Sequence, residues 1–305
     1  MGRIDDALRR SSEGVALEAP APADQEQFVS AWTEAKPRSA ALNSSPSPSA
    51  SAAVRDAGDS ILVAEPGAGR SRLSPAWRER LASTPGCDRA FLAQFMRLAA
   101  TLHKAQATNG MRVLIVTSPD PSEGKTLTAV NLALVLSDSY KRRVLLVDAD
   151  LRRPSLAEMT GLSRTTGLSE ALKASVDQKL SLIPLTPTLT LLPGGAPDPD
   201  PISGLTSERM RRILHDAAAQ FDWVILDAPP VGPIADAHLL AEMADGVLLV
   251  VRAGRTQCNA TQKAIEAIGR EHLLGVVLNG VERDSLQQYG TYYGGHGPAP
   301  KERGP

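Results

Sequence analysis

The chain has 305 residues, 42% of them apolar, and 33 basic against 34 acidic side chains. That length holds one large domain or two ordinary ones with a sizeable core, and the charge balance offers no global field to draw the chain onto nucleic acid or an anionic membrane. Two distant cysteines, Cys87 and Cys258, and five scattered histidines lack metal-ligand spacing, and no apolar run reaches the roughly 18 to 20 residues that span a bilayer.

Residues 1–86 read as a flexible arm. IDDALRR puts Ile4, Ala7 and Leu8 at helical spacing, and PAWRERLAS around Trp77 could add another turn or two. Between them LNSSPSPSASAAVRDAGDS is too rich in Ser, Pro and Ala to bury enough surface to offset ordering. The start, MGRIDDALRR, lacks the apolar centre of a secretory signal, so a cytoplasmic location is expected.

At Asp88 the pattern changes. Phe91, Phe95, Leu98 and Leu102 mark one face of a helix that should end near Asn109-Gly110. The strand runs RVLIVTS, RRVLLVDAD, TLTLLPG, DWVILDAPP, DGVLLVVRA and LLGVVLNGV then alternate with the helical stretches KTLTAVNLALVLSD, ERMRRILHDAAAQ, DAHLLAEM and ATQKAIEAIGR. A loop with short helices is expected between RRVLLVDAD and TLTLLPG. Unbroken apolar runs such as VLIV and GVLLVV are the mark of parallel strands covered on both faces. The spacing therefore predicts an α/β domain over 87–288, a mostly parallel sheet with helices on both faces, whose ligands sit beyond the carboxyl ends of the strands. Residues 289–305 form a Tyr/Gly-rich tail, expected to be disordered, holding three of the four tyrosines.

Three strand ends carry chemistry. After RVLIVT comes SPDPSEGKT and then a helix, the context of a phosphate-binding loop. In it the backbone around Ser122, Glu123, Gly124 and Leu127 would face phosphates, Lys125 would reach the outer ones, and the Thr126 hydroxyl would ligate Mg²⁺. Pro119 stands where the first glycine of that pattern falls. The strand VLLVDADLRRP delivers Asp148 and Asp150 to the same crevice, a costly pair beside phosphates unless a metal or a transferred proton occupies them. Asp148 is therefore assigned to Mg²⁺ and to the acceptor hydroxyl. DWVILDAPP ends in Asp227, placed to hold a metal-bound water, and Pro229 and Pro230 force an extended exit.

These motifs, TSPDPSEGKT, VLLVDADLRRP and VILDAPP, resemble the three Walker-type motifs of bacterial tyrosine kinases, the cytoplasmic autokinases of exopolysaccharide and capsule loci, over about residues 88–293. The resemblance implies a P-loop NTPase fold and an ATP- and Mg²⁺-dependent kinase. Lys125, Asp148 and Asp150 would be catalytic, Thr126, Asp148 and Asp227 would hold the metal, and Asn279 would touch adenine. Tyr289, Tyr292 and Tyr293 would be the autophosphorylation sites, modified by a neighbouring subunit. It also implies a membrane-bound polysaccharide co-polymerase as activator that recruits the chain to the inner face of the membrane, a homo-oligomer and a phosphatase. Relatives carry Glu-x-x-Arg-x-x-Arg before the first motif strand; here Gln94, Arg97 and Ala100 keep only the central arginine.

Two rival readings remain. A partition or septum-positioning ATPase carries an extra lysine early in the phosphate loop, where this chain has Asp120, and uses a basic amphipathic C-terminal helix that this sequence lacks. A non-catalytic nucleotide-binding regulator of polysaccharide export would have no need of the intact Lys125, Thr126, Asp148, Asp150 and Asp227.

Overall fold

A computed structural model describes residues 62–64, 81, 87–160, 166–174, 180–231 and 237–281. Its centre is an eight-stranded sheet. In chain order the strands are β1 (Leu62–Ala64), β2 (Val113–Thr117), β3 (Val144–Asp148), β4 (Leu180–Pro184), β5 (Leu189–Leu192), β6 (Trp223–Asp227), β7 (Gly246–Arg252) and β8 (Leu273–Asn279). The spatial order is β1-β4-β5-β3-β6-β2-β7-β8. All pairings are parallel except the short β4–β5 hairpin. Every residue of β2, β3 and β6 is buried, which explains why their sequences carry no polar alternation.

The helices are α1 (Arg89–Asn109), α2 (Lys125–Asp138), α3 (Leu168–Lys173), α4 (Ile202–Leu205), α5 (Glu208–Gln220), α6 (Ala237–Ala241) and α7 (Cys258–Ile268). α1 starts and stops where its sequence signals lie. The Asp88 carboxylate accepts from Ala90 N at 2.9 Å, and Gly110, at φ +71°, donates its N–H to Gln106 O at 2.8 Å. Its apolar face packs on α2, which is buried on nearly every side from Thr128 to Ser137. Gln94, Arg97 and Ala100 lie on the exposed side of α1.

Two core clusters fill the two faces of the sheet. One joins Leu114, Val116, Leu146 and Ile225 to α1 and α2; the other joins Ile115, Leu145, Val224 and Leu249 to α3, α5 and α7. Each fully buried leucine contributes about 1.5–3 kcal/mol relative to exposure, so this double-sided burial holds the strand ends in place.

The segment assigned to the flexible arm contributes more than a linker. Leu62–Ala64 adds an edge strand beside β4, and Leu81 is 1% exposed in the α1–α2 core. β4 stands where only a loop with short helices was expected. β1 is too short for periodicity to register, and in β4, second from the edge, the run LSLIP is interrupted by Ser181 and closes on Pro184, which argues against a strand until it is seen at the strand's last position. Ile4, Trp77 and the tail tyrosines Tyr289, Tyr292 and Tyr293 lie outside the described residues.

Candidate phosphate-binding site

β3, β6 and β2 end side by side at the centre of the sheet. The register pairs Asp148 with Asp227, and Asp227 with Val116 one residue before the end of β2. Two carboxylates from separate motifs thus stand level beside the strand that feeds the loop 118–124.

That loop closes on α2. Ser118 Oγ donates to Asp120 O at 2.7 Å, Ser122 adopts φ +65° and Gly124 adopts φ +93°. The left-handed backbone at Gly124 favours glycine, and a Cβ there would stand 2.0 Å from Asn279 Nδ2 and displace that side chain from the loop. As the residue preceding α2, Gly124 offers no side-chain acceptor, and its carbonyl accepts the first helical bond from Thr128 N at 2.9 Å. The opening N–H groups of α2 and the positive end of its dipole are left to an anion.

Lys125, 9% exposed, points its ammonium at the acids: Nζ lies 2.8 Å from Asp150 Oδ2 and 3.4 Å from Asp227 Oδ1. Burial pulls its pKa down, but Asp227 and Asp150 outweigh burial and hold it above the ordinary lysine value. Asp148 is fully buried; its Oδ2 accepts from Ser155 N at 2.9 Å and Leu156 N at 2.8 Å. Burial pushes its pKa up to about 7, with Asp227 adding to the rise and the two N–H groups opposing it. Burial likewise raises Asp227, against the pull of Lys125 and the Thr126 hydroxyl. Asp148 Oδ1 and Asp227 Oδ2 are buried without a hydrogen-bond partner. Orphaned buried carboxylate oxygens are costly, and two at one level beside an uncapped helix start fit a phosphate-bound divalent cation with oxygen ligands.

The Asp227 turn is stitched to this loop. Ala149 N donates to Asp227 O at 3.0 Å, Ala228 N to Val116 O at 3.0 Å, and Val231 N to Ser118 O at 2.8 Å. Thr117 Oγ1 donates to Pro229 O at 2.6 Å, which satisfies a carbonyl beside two prolines that have no N–H of their own. Gly194 lets the loop after β5 approach, since a Cβ there would lie 3.3 Å from Asp148 Cγ and 2.7 Å from Pro154 Cβ.

All the residues expected from the three motifs therefore meet. Ser122, Gly124, Lys125, Thr126 and half-buried Leu127 form the loop and first turn, with Asp148, Asp150 and Asp227 across from them. Glu123 is turned inward: its carboxyl accepts from the Thr256 hydroxyl and from Asp120 N. Asn279 arrives from β8 and braces the loop, donating from Nδ2 to Glu123 O at 2.8 Å and accepting from Gly280 N at 2.9 Å. Sequence reasoning missed Thr256 and Arg252, whose guanidinium reaches Ser122 O at 3.4 Å. The available signal was their place at the carboxyl end of β7.

Residues 114–291 match the CobQ/CobB/MinD/ParA nucleotide binding domain. Among curated proteins the chain is 36% identical over 205 residues to the tyrosine-protein kinase YwqD of Bacillus subtilis, covering 66% of this chain and 85% of that one. It is 33% identical over 210 residues to the succinoglycan biosynthesis transport protein ExoP of Rhizobium meliloti, covering 67% of this chain but only 27% of that protein. Among solved structures the kinase domain of the Escherichia coli tyrosine kinase ETK superposes with a TM-score of 0.56 at 27% identity, over 68% of this chain and 78% of that domain. Among the described residues no helix is long and apolar enough to cross a membrane. With the lysine of the loop after β2 and the carboxylates from the ends of β3 and β6 gathered in one crevice, and with relatives of this extent, the chain belongs to the bacterial tyrosine-protein kinases, on a CobQ/CobB/MinD/ParA nucleotide-binding domain.

Proposed function

We propose that this chain is an ATP-dependent tyrosine autokinase that phosphorylates its own C-terminal cluster, Tyr289, Tyr292 and Tyr293, between subunits, and through that cycle controls exopolysaccharide or capsule synthesis. The observation that carries it is the convergence of Lys125 with Asp150 and Asp227, beside the orphaned oxygens of Asp148 and Asp227. Phosphoryl transfer needs little covalent help from a protein; it needs position and charge neutralisation, and that is what this crevice offers.

ATP would supply the phosphoryl group, and a bound Mg²⁺ would neutralise negative charge as it transfers. Asp148, Asp227 and the Thr126 hydroxyl would hold the metal, while the first N–H groups of α2 and the backbone of loop 118–124 orient the phosphates. Lys125 moves from its carboxylate partners to the transferring group, which frees Asp150 to take the proton of the acceptor phenol. The bond between the terminal phosphorus and its bridging oxygen breaks as the tyrosine oxygen–phosphorus bond forms, and ADP leaves. Three phosphotyrosines would add about five to six negative charges to the tail, so the product is repelled from an acidic site. The relationship to a succinoglycan biosynthesis transport protein supports a polysaccharide role; the proposal extends to a membrane co-polymerase that would activate the chain and recruit it to the membrane, and to a phosphatase that would reverse the modification.

The test is intact mass and phosphopeptide mapping after incubation with Mg-ATP, with and without the activator's cytoplasmic segment. Wild type should carry phosphate on the tail tyrosines, while Lys125→Met and the triple Tyr→Phe variant at 289, 292 and 293 should carry none. Phosphate that persists on the triple variant, or appears on serine, would overturn the tail assignment.

A further inference from the structure

We propose that Glu123 is a positioning residue: its inward-turned carboxyl group, anchored by Thr256 beyond β7, holds the phosphate-binding loop in the shape that receives a nucleotide's phosphates. The inference rests on nucleotide binding at that loop, the function proposed above, and assigns the device that preforms it.

Within the loop the Ser118–Asp120 bond is a short local tie. Ser118 is also held by Val231 N from the Asp227 turn, whereas the stretch from Asp120 to Glu123 is held by the Glu123 carboxyl group and by contacts from the carboxyl ends of β7 and β8. Asp120 N donates to Glu123 Oε2 at 3.3 Å, and the Thr256 hydroxyl donates to Glu123 Oε1. Thr256 is itself fixed, since its Oγ1 accepts from Arg252 N at 2.9 Å and its own N–H donates to Arg252 O at 3.0 Å. Arg252 Nη1 reaches Ser122 O at 3.4 Å, and Asn279 Nδ2 reaches Glu123 O at 2.8 Å. Asp120, Ser122 and Glu123 are thereby tied to two strand ends that lie on the opposite side of the loop from the metal-binding acids.

The physical need for such a tie is visible at Ser122. A residue other than glycine at φ +65° is unfavourable in isolation and persists where its surroundings over-determine it. Glu123 is 3% exposed, and burial raises its carboxyl pKa against the opposing pull of the Thr256 bond, so it is turned in at a cost that these contacts offset. With its side chain and carbonyl both engaged, Glu123 serves the site through the loop it shapes. A loop already in place asks less ordering entropy of the nucleotide, and that difference appears as affinity.

The test uses the full chain, with ADP affinity measured by calorimetry in Mg²⁺ and KM for ATP and kcat measured from tail phosphorylation. Glu123→Ala and Thr256→Val should each weaken ADP binding and raise KM by about tenfold, with kcat changed far less, because each breaks the same tie and strands a buried polar partner. The double variant should be no worse than the weaker single, as residues acting as one unit behave. Glu123→Gln, whose carbonyl can accept from Asp120 N while its amide donates to Thr256, and Thr256→Ser should restore near-wild-type affinity. Circular dichroism establishes that each variant is folded at the assay temperature. Should Glu123→Ala fail to fold, the Thr256→Val and Thr256→Ser pair makes the same comparison from the other end of the tie. Wild-type ADP affinity in folded Thr256→Val, or losses that multiply in the double variant, would overturn the role. A wild-type protein that binds no ADP would instead overturn the nucleotide site, and this role with it.

Discussion

Asp148→Asn should change how the metal-free protein's stability depends on pH. The Asp148 carboxyl titrates near 3.8 in the unfolded chain and at about 7 in the fold, because it is buried and only one of its oxygens is hydrogen-bonded. Below pH 3.8 it is protonated in both states and costs nothing. As pH rises the unfolded chain gives up this proton first, so the fold loses stability steadily until the folded carboxyl ionises at about 7, and the full deficit persists above that. At 1.36 kcal/mol per pKa unit the deficit is about 4 kcal/mol. Asparagine keeps an acceptor for the Ser155 and Leu156 N–H groups but never ionises. Its new N–H₂ group lacks an acceptor, which costs about 1–3 kcal/mol independently of pH. Urea unfolding of both proteins in EDTA, from pH 4 to pH 8.5, separates the two effects. The variant's stability relative to wild type should climb by about 4 kcal/mol between pH 4 and pH 7.5 and then level off. Mg²⁺ with ADP should restore the wild type much more than the variant. A difference between the two proteins that stays flat across that range would show that Asp148 is not a buried ionisable group awaiting a cation.

Lys125→Met should reduce tail phosphorylation by about a thousandfold or more, read by phosphopeptide mass spectrometry, since the mobile positive charge that stabilises the transferring group is gone. Gly124→Ala should destabilise the fold by at least about 1–2 kcal/mol in urea titrations, from the left-handed backbone alone, and weaken ADP binding as Asn279 is pushed from the loop. Asp88→Ala should cost about 1 kcal/mol by removing the α1 cap, with ADP affinity unchanged.

Much of this was legible from the residues. The central strands could be read because burial on both faces leaves runs such as VLLVD with no polar interruption, and α1 because Asp88 and Gly110 mark its ends. Lys125, Asp148, Asp150 and Asp227 could be named because each follows such a run, and a strand's carboxyl end fixes where the next side chain goes. β1 and β4 were not legible: β1 has three residues and pairs with a strand far along the chain, and β4, LSLIP, breaks its apolar run at Ser181 and ends in Pro184. Glu123 belonged to a recognisable motif, yet its inward turn is set by Thr256, 133 residues away, a contact no local pattern encodes. Asn279 was expected at adenine; in the structure its side chain braces the phosphate loop, a contact with a residue far away in the chain that no local pattern encodes.

Anomalous diffraction from crystals grown with ADP and Mn²⁺ in place of Mg²⁺ tests the metal assignment most directly. One strong peak should lie at the nucleotide's outer phosphate, within about 2–2.5 Å of the Thr126 hydroxyl, with Asp148 and Asp227 reaching it directly or through bound water. Lys125 should have left Asp150 for the phosphates. A manganese peak elsewhere, or ADP bound with Lys125 still paired to Asp150 and Asp227, would contradict the assignment of these strand ends to phosphoryl transfer.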